Sequence, residues 1–343
     1  MTPLAAALRD QAVHCADLGS PFMAQLCAVL ADRLAPGTPL ADRLFGWPGD
    51  VTPRGAALPL RLASALHALV LRGDALAACY PPHRVDDGTL WHAVEQAMTT
   101  QAAFIDRWID SPPQTNEVRR SAALIAAAHW LVARHALPLR LSELGASAGL
   151  NLMWDHFALD AGGVTLGPAA AALTLRPAWT GAAPPHRRHP QVVERRGVDL
   201  NPLDPASATD RERLRAYLWA DQPDRITLTD AAIGVATATV ERADAIDWLG
   251  PRLTHVPGQM HMVFHTIAWQ YFPPEAQARG TALIEEAGRS ATLRAPLAWV
   301  GMEGDGMTPG AALTVRLWPG DIRARLGRID YHGRWVNWRP RML

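Results

Sequence analysis

Lysine is absent from this chain of 343 residues, and all 33 basic side chains are arginine. A Schiff-base lysine, a Walker-type phosphate-binding lysine and the strand lysine of protein kinases are therefore excluded. Excess charge is lacking too. The 33 acidic residues leave a formal net charge of zero, so bulk charge points to neither nucleic acid nor an anionic membrane surface as a partner. Cysteine is scarce. Cys15, Cys27 and Cys79 are far apart and form no Cys-x-x-Cys pair, which argues against a disulfide framework or a zinc site and for buried thiols in a reducing compartment. No apolar run reaches transmembrane length, and the opening residues lack a basic segment followed by a long apolar stretch. A cytoplasmic location with no membrane partner is expected. His186-Arg-Arg-His189 has ligand spacing but lies in a proline-rich stretch without a further donor, so no metal is expected.

What is present is a chain 49% hydrophobic and 19% charged, suited to a soluble globular protein with one large domain or two. Residues 1–137 read as a helical N-terminal region. Ser20 stands as N-cap before Pro21, and Thr115 or Asn116 can cap a helix over 115–135 whose apolar face is Val118, Ala122, Ile125, Ala126 and Leu131. No strand is expected before Leu139. From there the texture alternates. Strands are expected at 139–144, 172–175, 192–200, 239–245, 260–266, 297–302 and 313–318, with a terminal strand near 331–338. Helices are expected at 150–159, 208–219, 226–234 and 274–288. The alternation implies an α/β domain over 138–343, a Rossmann-like, mostly parallel sheet with room for an antiparallel last strand. A Gly- and Pro-rich insertion near 161–190 interrupts it.

The first strand ends on Glu143 and breaks into Gly145-Ala-Ser-Ala-Gly149 before a helical pattern. Small residues there allow close backbone approach of a nucleotide-like cofactor. The same residues spell Gly-x-Ser-x-Gly, the turn that exposes a hydrolase nucleophile, and Glu303 or Asp305 followed by His332 would complete the order serine, acid, histidine. The helical lead-in weighs against the hydrolase, whose nucleophile turn follows several strands. Acids recur at later strand ends, Asp199 after Gly197-Val198 and Asp244 after Arg242-Ala243.

Glu143-Leu-Gly-Ala-Ser-Ala-Gly149, Gly197-Val-Asp-Leu-Asn-Pro202 and Ala243-Asp-Ala245 resemble the first three motifs of class I S-adenosylmethionine-dependent methyltransferases. More narrowly, nearly the whole chain resembles an uncharacterised bacterial family with a methyltransferase-like core, through those segments together with Ser20-Pro21, Gln114-Thr-Asn-Glu117, the run from His265 to Tyr271, and His332-Gly-Arg-Trp335. The resemblance implies S-adenosylmethionine as cofactor and an unidentified small-molecule acceptor. Gly145, Ser147 and Gly149 would hold the methionine end, Asp199 the ribose and Asp244 the adenine side, with Glu143 at the strand end as a further cofactor-binding residue. His265 would be the best general base, with Tyr271 and Glu117 as further catalytic candidates. Two departures stand out: Ser147 replaces the middle glycine of Gly-x-Gly-x-Gly, and Asp199 lies well beyond the usual spacing of about 20 residues.

Plainer roles stand beside each of these. Glu143 can anchor loop amides, Asp199 can serve a turn, Asp244 can cap a helix, and His265 can be a buried structural histidine. A serine hydrolase using Ser147, or a noncatalytic binding or regulatory module on the same fold, are the alternative functions.

Overall fold

The computed structural model describes residues 2–53 and 55–343. The chain forms two compact units, one from Met1–Thr115 and Ala206–Thr227, the other from Asn116–Pro205 and Leu228–Leu343.

Among its described residues the first unit is helical. Three of its helices, Pro3–Asp17, Pro21–Arg33 and Pro39–Phe45, begin with a hydroxyl residue followed by proline. Thr2, Ser20 and Thr38 each accept a first-turn N–H that the helix itself leaves open, while proline at that position forfeits no bond. Ser20 also donates to Asp221, whose other oxygen accepts Phe22 N at 2.9 Å. Helix Leu58–Leu71 is buried along most of its length and packs on Ala208–Ala216 from the second segment, with Arg72 on Glu212 at its end. Cys15, Cys27 and Cys79 are buried free thiols.

The second unit holds a nine-stranded sheet and a three-stranded one. In chain order the strands are β1 (Leu139–Leu144), β2 (Phe157–Ala161), β3 (Val164–Leu166), β4 (Leu173–Leu175), β5 (Ala178–Thr180), β6 (Val192–Asp199), β7 (Thr239–Arg242), β8 (Met260–Thr266), β9 (Leu297–Glu303), β10 (Ala311–Trp318), β11 (Ile322–Ile329) and β12 (Trp335–Met342). The large sheet runs β5-β12-β11-β10-β9-β8-β1-β6-β7, and the small one β3-β2-β4. Strands β7, β6, β1, β8 and β9 are mutually parallel. Both β1 and β8 are buried at every residue, as central parallel strands covered on both faces must be. No helix among the described residues is long and apolar enough to cross a membrane.

The sheet is α/β but more mixed than expected. Antiparallel pairing is not confined to a last strand: β10, β11 and β12 form a meander onto β9. Strand β11 was not anticipated. Its Ile-Arg-Ala-Arg-Leu start alternates, but the register shifts around Leu326 on both sides, and that bulge breaks the period-2 pattern. The helix expected at 150–159 is a short 3-10 turn, Leu150–His156, which yields to β2. There Phe157 and Leu159 are fully buried, and pairing with β3 and β4 overrides helical propensity.

Candidate functional site

Ligands of open parallel sheets bind outside the carboxyl ends of the strands, where the strand order reverses. Here that point lies between β1 and β8, because the chain goes from β1 to β6 and β7 on one side and to β8 and β9 on the other. Glu143 sits in register with Gly197 of β6 and Phe264 of β8. The residues just beyond these strand ends are the 145–149 turn, Asp199, Asp244 and the segment from Ile267 to Tyr271.

The 145–149 turn is held by backbone. Gly145 N and Ala146 N both donate to Val198 O, at 2.9 and 3.0 Å, and Gly149 N donates to Ala146 O at 2.7 Å. Gly145, Ser147 and Gly149 all have left-handed φ, at +71°, +53° and +71°. A Cβ on Gly145 would meet Ala268 Cβ at 2.6 Å, so glycine is required there for space as well as for φ. Gly197 has the same function from the neighbouring strand, since a Cβ on it would meet Ala146 Cβ at 2.6 Å.

Asp199 closes the turn. Its Oδ2 accepts Ser147 N at 2.8 Å and its Oδ1 accepts Asn201 N at 2.8 Å. It thus orders both strand-end loops. Ser147 is buried, and its Oγ has no hydrogen-bond partner. Glu143 is 1% exposed, and its Oε2 likewise has none. Burial, with the Asp199 charge adding to it and Arg120 opposing, pushes the Glu143 carboxyl well above the usual glutamate range. Two orphaned polar groups thus lie beside a glycine-rich turn at the switch point. Buried polar groups in native proteins generally have partners, so such exceptions mark a bound water, an ion or a ligand position.

Asp244 is the N-cap of helix Ala245–Arg252, accepting Ile246 N and Asp247 N, and Arg279 lies 3.4 Å from the same oxygen. His265 is 3% exposed. Its Nδ1 faces Glu303 Oε1 at 2.7 Å, and Trp299 Nε1 donates to its Nε2 at 2.9 Å. Because indole N–H only donates, Nε2 accepts and the ring proton lies on Nδ1 toward Glu303. Trp269 stacks on the imidazole, ring centroids 5.0 Å apart. Glu303 also accepts Ala268 N, Trp269 N and Gln270 N. Burial alone would raise the Glu303 carboxyl, but His265 and these amides hold it below the usual range. This group fixes the segment after β8.

Glu117 is 2% exposed, and its Oε1 accepts Arg119 N and Nε. Tyr271 is 63% exposed, on the turn after β8. For the hydrolase constellation, no histidine lies within hydrogen-bond distance of Ser147 Oγ. Glu303 is taken by His265 and Asp305 by Arg328.

Some contributors were given another role from the sequence, as Asn116 and Glu303 were, and others, such as Arg120 and Trp299, none. Asn116 was read as a helix cap; instead its Oδ1 accepts Leu150 N at 2.9 Å, behind the glycine turn. Arg120 bridges Tyr331 O and Thr266 O, tying the β8 end to the loop before β12. Trp299 and Glu303 share one face of β9 with Gly301, whose missing side chain leaves room for the His265 ring beside it. The alternation Trp299-x-Gly301-x-Glu303 was the available signal.

No curated protein matches the chain. A family model described as an uncharacterized protein conserved in bacteria (DUF2332) matches residues 5–338, nearly the full length, and the chain belongs to that family.

Proposed function

We propose that the protein binds S-adenosylmethionine at the carboxyl edge of β1, β6 and β7, and that it is a methyltransferase acting on a small molecule. The observation that carries this reading is the left-handed 145–149 turn at the switch point, flanked by the orphaned Glu143 Oε2 and Ser147 Oγ. The order β7-β6-β1-β8-β9 supports it, being that of the central strands in doubly wound nucleotide-binding sheets. The donor set suits the group. Glu143, held toward its neutral form by burial, would ionise readily against an ammonium. The 145–149 backbone would hold the methionine end, Asp199 has lone pairs left for ribose hydroxyls, and Asp244 stands on the adenine side. Once bound, the cofactor supplies an electrophilic methyl group on sulfonium.

The chain's own contribution is positioning. Asp199 orders the glycine turn, and the Glu303–His265 pair orders the segment from Ala268 to Gln270. With both ring nitrogens engaged, His265 acts as a positioning residue, and Tyr271 is left as the exposed candidate for contact with an acceptor. Titration calorimetry with S-adenosylmethionine is the test. Saturable binding that is lost in Asp199→Ala supports the reading; absence of binding by folded protein refutes it.

A further inference from the structure

We infer that the second unit carries a separate nucleotide site between the helix Ser121–Val132 and the 182–190 stretch, taking an amino-bearing base with its phosphates. A cleft of about 600 Å³ lies there, lined by Arg134, His186, Arg187 and Arg188 together with Trp130 and Trp338. No carboxylate lines it. Arg134 stacks its guanidinium 3.4 Å from the Trp130 ring centroid and donates to Trp130 O. Among the described residues none of the three arginines pairs with an acid, in contrast to Arg43, Arg316 or Arg328 in this same chain. Uncompensated guanidiniums around one cleft favour a multiply charged anion, and their planar donor forks suit phosphate.

An adjoining pocket of about 290 Å³ shares His129 with this cleft and is mostly apolar, with Ile125, Phe157 and Pro168 in its walls. Two of its residues carry orphaned polar atoms. Trp154 is 1% exposed and its Nε1 has no partner; Asp155 Oδ2 accepts from Arg195 at 2.7 Å, but its Oδ1 has no partner. His129 donates from Nδ1 to Pro185 O at 3.0 Å, which leaves Nε2 as an acceptor. Burial, reinforced by His189 and His186, lowers His129 to about 4, so the ring is neutral at pH 7. One donor and two acceptors in an apolar pocket complement the edge of an aminopurine, which offers ring-nitrogen acceptors and an exocyclic N–H. The neighbouring arginines then receive the phosphates. His186-Arg-Arg-His189, where no metal was expected for want of a further donor, thereby supplies an anion-binding loop.

The test uses the full chain and calorimetric titration with ADP, adenosine, inorganic phosphate and a short single strand of deoxyadenylate. ADP is expected to bind more tightly than either adenosine or phosphate. Arg187→Ser with Arg188→Ser is expected to weaken ADP by roughly a hundredfold, about tenfold for each charge-assisted contact, and to leave adenosine unchanged. Both arginines are exposed, so the double variant should fold; its circular dichroism and melting temperature check this. No ADP binding, or ADP binding equal in wild type and variant, overturns the inference. Tighter binding of the oligonucleotide than of ADP also overturns it, in favour of a nucleic-acid surface.

Discussion

Replacing Ser147 with glycine is expected to stabilise the protein, against the usual sign for a substitution to glycine. Ser147 has φ +53°, and its Oγ is buried without a partner. A left-handed backbone costs a residue with a Cβ about 1–2 kcal/mol, and a buried unsatisfied hydroxyl costs about 1–3 kcal/mol. Against these, glycine adds about 0.5–1 kcal/mol of unfolded-chain entropy, and losing the buried methylene removes about 0.8 kcal/mol of burial. The balance favours Ser147→Gly by about 2 kcal/mol, the midrange of these terms. For a unit of this size that raises the melting temperature by roughly 4–8 °C. Ser147→Ala keeps the strained φ and deletes only the hydroxyl, so it isolates the second contribution. Differential scanning calorimetry of wild type and both variants, without ligand, measures the differences. A lower melting temperature for both variants would refute the reasoning, because it would mean that Oγ makes a bond worth more than strain and desolvation together.

Two further outcomes follow from the same edge of the sheet. Glu143 has a folded-state pKa above the ordinary 4.5, so the native state holds its proton more tightly than the unfolded chain. Its stability contribution is therefore intact below pH 4.5 and is lost as pH rises through the raised value; Glu143→Gln should leave stability near pH 4 unchanged and raise it at pH 7, and parallel urea-denaturation pH profiles for the two proteins would contradict this. Glu303→Ala removes the acceptor of one imidazole and three amide N–H groups. It should cost about 3 kcal/mol in denaturant midpoint analysis, with faster amide exchange at Ala268 to Gln270; protection equal to wild type would show that the segment is held by something else.

The parallel core was legible because its strands obey simple rules. Strand β8 centres on the apolar Met262-Val263-Phe264, and its expected bounds at 260–266 match those found. The glycine turn was legible as well, since close backbone approach restricts residue type severely. What escaped the sequence were features set by partners distant along the chain. Strand β2 exists because β3 and β4 pair with it, and β11 is masked by its bulge. Asn116 carries a helix-capping signature, yet its acceptor serves Leu150 N, a contact no local pattern encodes. Asp199 was read both as a ribose ligand and as a turn residue. Its hydrogen bonds to Ser147 N and Asn201 N establish the turn-holding role and leave lone pairs for the other.

The segment Ala206–Thr227 lies in sequence between β6 and β7 but completes the helical unit. A chain emerging N-terminus first folds its domains broadly in that order, yet here the first unit lacks Asp221 for Ser20 and Glu212 for Arg72 until well after β1 and β6 have been made. The earliest helices must therefore wait, incomplete, through the synthesis of roughly the next hundred residues, an interval of several seconds at bacterial elongation rates of about 5–20 residues per second. A fragment cut after Thr115 inherits that unfinished state permanently, so the helical unit cannot be excised by simple truncation.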